Sequence, residues 1–244
     1  DFGGIPCGNI TYGNRFLGLD KAITINKAED YIPKLREQKV IADIEERRKE
    51  IINQLAAIFP EGDFKVIEDR ELVETVVNLV EFPTAVIGEF EEKYLSLPDK
   101  IIISTISQTQ KYFAVQNNEG KLSNKFIFIS NGNPSASKII RKGNEKVVKA
   151  RLADALWYWN EDTKHPLEYW TKYLDKVIFQ AKLGTMSDKT KRIMQLVNAV
   201  TDELNITEEQ KKKAIRCAKL CKADLVTNML GEKEFTKLQG YIGK

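Results

Sequence analysis

Apolar residues recur along this chain with more than one period, and the change of period divides it. Ala28 to Gln38 and Asp43 to Phe59 carry them every three or four positions, which predicts two helices. In the second, Ile44, Ile51, Leu55 and Ile58 share one face and the charged run EERRKE lies on the other. Pro60, Gly62 and Asp63 stop that helix, Phe64 to Ile67 predicts a strand, and Asp69 caps a further helix running to about Val80. Thr84 to Phe90, entered through Pro83, is a β-forming run, and a helix follows from Pro98. Tyr112 to Gln116 and Phe126 to Ser130 flank NNEGKLSN, with Gly120 in the connection, which predicts a hairpin. The opening eighteen residues hold five glycines among Ile10, Tyr12, Phe16 and Leu17 and predict short strands joined by turns.

After Lys142 the helical period takes over. Val148, Leu152, Ala155 and Trp159 form one stripe, and Ile193, Leu196, Val197, Val200 and Leu204 form another. Thr207, followed by Glu208 and Glu209, opens a last helix that ends in lysines, the charge order that complements the helix dipole. NEDTKHP breaks the pattern, which places a domain boundary at residue 163. The expected fold class is α+β: a mixed α/β domain over 1–163, then an all-helical domain over 164–244.

With 42% hydrophobic and 30% charged residues the composition is that of a soluble globular chain, and no apolar run approaches the ~20 residues of a membrane-spanning helix. The first residues lack a secretory signal and an initiator methionine, so the natural start is expected upstream. Three cysteines, Cys7, Cys217 and Cys221, suit reduced thiols, and the expected location is cytoplasmic. A net charge of +3 says little, but it is sorted: residues 61–99 carry eleven acidic and three basic side chains, whereas Lys138 to Arg151 carries six basic side chains against Glu145 alone.

Little of this builds a reactive centre. A single histidine, His165, excludes HExxH and Cys2His2 zinc sites and reads as a solvated loop residue. Cys217 and Cys221, four apart on a predicted helix, total four zinc ligands with Cys7 and His165, yet two buried thiols packing as hydrophobes explain the spacing more simply. There is no phosphate loop, the carboxylates read as surface charges, and neither catalytic nor metal-ligating residues are expected. The best local signal is basic. Lys142, Lys146 and Lys149 fall in one stripe at 100° per residue, with Arg151 beyond and Trp157 near it. Lysines meeting phosphates around a ring that stacks on a base would bind RNA; a tryptophan docked on a neighbouring domain among solvated lysines is the alternative. Lys189, Lys191 and Arg192 form a secondary basic group.

Read in order, GNITYGNRF, VEFPTAVIGEFEEKYLSLP, ISTISQTQKYFAV, FIFISN, GNEKVVKARLADALWYWNED, FQAKLGTMSDKTKRI and CKADLVTNMLGEKEFTKLQGYIG resemble the β subunit of bacterial heterotetrameric glycyl-tRNA synthetases over the whole chain. The resemblance implies a subunit that binds tRNA(Gly) and completes assembly for ATP-dependent glycylation of tRNA, with ATP and Mg used through a separate catalytic α subunit and no cofactor held in this fragment. Expected partners are then tRNA(Gly) and the α subunit, with neither membrane nor DNA, and Lys142, Lys146, Lys149, Arg151, Trp157, Lys189, Lys191 and Arg192 are the candidate RNA contacts. It further implies that the first domain is similar to the core or editing-like region of synthetase β chains, and that residues 164 onward begin a degenerate HD-type helical domain without that fold's metal-binding histidines. Because the family extends beyond both ends, an internal fragment is expected. A scaffold with no RNA contact, anchored by Trp157, Trp159 and Trp170, is the alternative.

Overall fold

The computed structural model describes residues 1–18 and 22–244, and they form two compact units, Asp1–Ala150 and Arg151–Lys244. The division falls inside one continuous helix, where the apolar period runs on unbroken and leaves no mark in composition. The sequence boundary at 163 lies instead just past that helix's end.

In the first unit β1 (Ile10–Tyr12) pairs antiparallel with β2 (Ala22–Thr24), as the glycine-punctuated opening predicts. Helix α1 (Tyr31–Glu37) follows, and α2 (Ile44–Ala57) begins where the Asp43 carboxylate accepts from the Glu46 amide at 2.8 Å. Next come β3 (Phe64–Val66) and α3 (Arg70–Val77), the latter capped by Asp69 accepting from Leu72 N at 2.8 Å. Strand β4 (Thr84–Glu89), helix α4 (Asp99–Ser104), the hairpin β5 (Phe113–Asn117) and β6 (Leu122–Ser130), and the start of α5 (Ser137–Asp162) complete the unit. The four strands make an antiparallel sheet in the order β3-β5-β6-β4.

Against one face of that sheet α2 and α3 bury Ile51, Leu72, Val76 and Val77 on Phe113, Val115 and Ile127. Ile44, expected on the same face, stands exposed in the first turn of α2. On the other face Tyr112 stacks on Phe126 at 5.3 Å. This packing explains Gly88, which is paired across from Phe126: a Cβ there would lie 2.4 Å from the ring. Buried Asn14 ties the opening segment down. Its amide donates to Glu81 Oε2 at 3.1 Å and to Asn131 Oδ1 at 3.2 Å, and its oxygen accepts from the Phe16 and Leu17 amides.

The second unit holds the rest of α5, then α6 (Leu167–Trp170), β7 (Ile178–Gln180), β8 (Gly184–Thr185), α7 (Met186–Glu203), α8 (Glu208–Leu220) and α9 (Asn228–Gly231), joined by 3-10 turns. Mixed α+β is therefore the class of the chain, but the C-terminal region is not all helical. β7 and β8 form a short antiparallel ribbon, turned at Gly184 with φ +82°, a conformation only glycine adopts freely. Thr185 and Asp188 then close a reciprocal capping box at the start of α7.

Helix α7 also departs from its predicted packing. Leu196, Val200 and Leu204 are more than half exposed, while the helix buries Met186, Thr190 and Thr201 instead. The apolar stripe fixes where a helix has an apolar face, not whether this chain supplies the surface that covers it. Among the described residues no helix is long and apolar enough to cross a membrane.

Candidate nucleic-acid interface

The apolar stripe of α5 is placed as its period predicts: Val148, Leu152 and Ala155 are fully buried. That turns Lys142 and Lys146 to solvent, and among the described residues neither has an ion pair or hydrogen bond. Lys149 differs. The acidic segment of the first unit folds onto the basic one, so Lys149 pairs with Glu91, whose carboxyl is pulled down to about 2 by the hydrogen bond from Lys149 and then by that from Lys93. Arg141 bonds Glu145 at 3.1 Å, and the Glu89 amide donates to the same carboxylate at 3.2 Å. In the second unit Arg151 pairs with Glu234 at 2.7 Å.

Trp157 is 58% exposed and meets Tyr158 edge-on at 5.0 Å, leaving a large ring in solvent. The secondary basic group is tied locally: Lys189 lies over the Phe179 ring at 4.1 Å, Lys191 reaches Asp188 at 3.3 Å, and Arg192 donates to the Leu183 carbonyl at 3.0 Å. The predicted contacts thus sort by availability. Among the described residues Lys142, Lys146 and Trp157 face solvent without charge partners, whereas Lys149, Arg151, Lys189, Lys191 and Arg192 have intramolecular partners to leave.

Two readings of the reactive side chains need correction. Cys217 and Cys221 are not buried thiols; like Cys7 they are free and exposed, because their side of α8 faces water. Not every carboxylate is a surface charge. Asp162 is buried, and its oxygens accept from Asn228 N at 2.9 Å, Asn228 Nδ2 at 2.8 Å and Met229 N at 2.9 Å; Asp224, also buried, accepts from Gly240 N at 2.5 Å. Both carboxylates hold loops rather than face each other. Among the described residues, no group of three His, Cys, Asp or Glu side chains converges to hold a metal ion.

His165 is an exposed loop residue, as its sequence context predicts, but it is not bare. Its ring stacks on Tyr169 at 3.9 Å with 16° between planes, Trp170 and Tyr173 pack edgewise or tilted around Tyr169, and the Tyr169 and Tyr173 hydroxyls lie 3.0 Å apart. Lys172 Nζ sits 3.8 Å over Tyr169 and 4.9 Å over Tyr173. Within the pair the Tyr173 phenol titrates low, because the Tyr169 hydroxyl and Lys172 stabilise its phenolate, and the Tyr169 phenol is correspondingly raised. These rings line a cleft of about 490 Å³ with Val177, Leu225 and Val226. The signal was present in HPLEYWTKYLDK: histidine and two tyrosines four apart, with Lys172 between the tyrosines and Lys176 after them. A larger cleft of about 600 Å³ lies between α2 and α3 beside β3, but it is walled by Ile52, Leu55, Phe59, Val66 and Val73, and its Arg48 is already held by Glu74 in two hydrogen bonds of 2.7 Å.

Comparison with known proteins gives one consistent result. A family model described as glycyl-tRNA synthetase beta subunit matches residues 1–244. A glycine–tRNA ligase beta subunit from Oceanobacillus iheyensis is 40% identical over 240 residues, covering 98% of this chain and 34% of the relative. One from Clostridioides difficile is 43% identical over 244 residues, 100% of this chain and 35% of the relative, and one from Dictyoglomus thermophilum is 43% identical over 222 residues, 91% and 32%. The chain thus spans about a third of the length of the curated relatives it matches.

Proposed function

Since the chain belongs to the glycyl-tRNA synthetase beta subunit family, we propose that it serves, in the cytoplasm, as the part of that subunit that binds tRNA(Gly) and completes assembly with the α subunit. Glycylation itself, with its ATP and Mg, is assigned to the α subunit. The single observation that carries the RNA role is the α5 stripe. Lys142 and Lys146 are exposed and, among the described residues, unpaired on a helix that buries Val148, Leu152 and Ala155, and Trp157 is exposed further along it. Lysine suits this work because a charge on a flexible stem neutralises phosphate without demanding one geometry and releases counterions. Lys149 and Arg151 would join by exchanging a carboxylate for a phosphate; Lys189, Lys191 and Arg192 would do so at the cost of local contacts. We read the helices from residue 164 as the degenerate HD-type scaffold of the family, serving shape rather than phosphohydrolysis, and the first domain as its editing-like core without an editing role.

Ultraviolet crosslinking in the assembled enzyme tests the proposal. Links from tRNA should fall within residues 138–160. Links from those residues to protein alone would favour the scaffold reading, for which Trp157 is the available anchor, since Trp170 is buried and Trp159 half-buried.

A further inference from the structure

The aromatic cleft of the second unit lies outside the α5 stripe and has a chemistry of its own. Residues 165, 169 and 173 bring three rings into one cluster, His165 stacked on Tyr169 and Tyr173 edge-on to it, and internal contacts hold them there. Lys172 covers Tyr169 on one side, His165 covers it at 3.9 Å, and the two tyrosine hydroxyls are joined at 3.0 Å. His165 is the outermost ring and is exposed. A planar group entering the cleft would therefore extend an existing stack and order little, which is how bases are bound on aromatic platforms.

The walls narrow the choice of ligand. The cleft is lined by buried Trp170 and by Val177, Leu225 and Val226, while Lys164 and Lys176 stand at its margin. Lys164 is engaged by Glu161; Lys176 lies 5.4 Å from the Tyr173 ring centre and has no carboxylate partner among the described residues. Two acceptors also line it. Asn228 spends its amide nitrogen on Asp162, which leaves its side-chain oxygen as an acceptor, and Glu161 adds a carboxylate. A cleft lined by aromatic rings, by the cation of Lys176 and by the acceptors Asn228 and Glu161 matches a base that carries an amino group and a phosphate.

We propose that this cleft binds an unstacked, amino-bearing nucleobase with a 5′ phosphate, its ring on His165, its phosphate at Lys176 and its amino group toward Asn228 and Glu161. The inference rests on the RNA-handling role proposed above only for the source of the base, an unpaired nucleotide of an RNA rather than a free nucleotide.

Saturation-transfer NMR on the 244-residue chain tests it with AMP, UMP and ribose 5-phosphate as probes. AMP should receive saturation at its base protons and bind more tightly than UMP, and His165→Ala should weaken it about tenfold, the worth of one stacked base. Lys176→Ala, at an exposed side chain whose cation lies over the Tyr173 ring, should weaken it as well. Equal AMP affinity in wild type and both variants, or ribose 5-phosphate binding as well as AMP, overturns the site. An adenosine hexanucleotide that binds more tightly than AMP and loses about tenfold in His165→Ala supports the RNA source; weaker binding than AMP supports the site with a free nucleotide as its ligand. Lys142→Glu with Lys146→Glu should leave the AMP signal unchanged, so failure of the α5 reading and failure of the cleft are separate results.

Discussion

Glu91 sits between Lys93 and Lys149 and bonds both, the first at 2.6 Å, and this one carboxylate decides how much of the α5 charge is free. We expect Glu91→Gln to release Lys149, raising RNA affinity and steepening the slope of log K against log salt by about 0.7–0.9, the share of one phosphate contact. The same pair sets a pH dependence. Because the folded carboxyl is depressed to about 2 from 4.5, its stabilisation is present above the unfolded value and is lost as pH falls from 4.5 toward 2. The pair is exposed, so the effect is small, and thermal melts at pH 6 and pH 3 should show the gap between wild type and Glu91→Gln closing at the lower pH. Asp162 acts at the same scale but underground. Removing it in Asp162→Ala leaves the backbone N–H of buried Met229 and that of Asn228 without their acceptor, which we expect to cost about 2–3 kcal/mol in urea unfolding. A loss below about 0.5 kcal/mol would mean that water replaces the carboxylate.

At the scale of elements, most of the first unit was legible because its signals are local. Asp43 and Asp69 mark helix starts by capping, Gly120 marks a hairpin by its φ of +77°, and alternating residues mark strands; each operates within a few residues. Helix α7 was legible as a helix but not in its packing. Leu196, Val200 and Leu204 of its apolar stripe point outward while two threonines are buried, a tertiary choice that periodicity cannot report. Two substitutions separate the cases: Leu152→Ala in the buried stripe of α5 should cost about 2–5 kcal/mol. Leu196→Ser with Val200→Ser on α7 should change stability by about 0.5 kcal/mol or less, measured by urea denaturation of the 244-residue chain. The ribbon β7–β8 went unread because two strands of three and two residues fall below any pattern window.

Across the whole molecule, charge sorting along the sequence becomes partial neutralisation in space. The acidic stretch meets the basic one through Glu91 with Lys149, and what remains uncovered is a shorter basic surface than the sequence suggests. The candidate site was half legible for this reason. Lys142 and Lys146 follow from helical period alone, whereas the partners of Lys149 and Arg151, and the convergence of Asp162 on Asn228, depend on contacts between distant segments. Asn14, Asn131, Asp162 and Asp224 lie in the segments that carry the family resemblance, and their side-chain oxygens accept bonds that hold loops in place.

Filter retention of tRNA by the 244-residue chain over a salt series addresses the α5 surface directly. Lys142→Glu with Lys146→Glu should lower affinity at least about tenfold at low salt and flatten the salt slope by about 1.5, the share of two phosphate contacts. Affinity and slope that match the wild type would contradict the assignment of this helix to RNA.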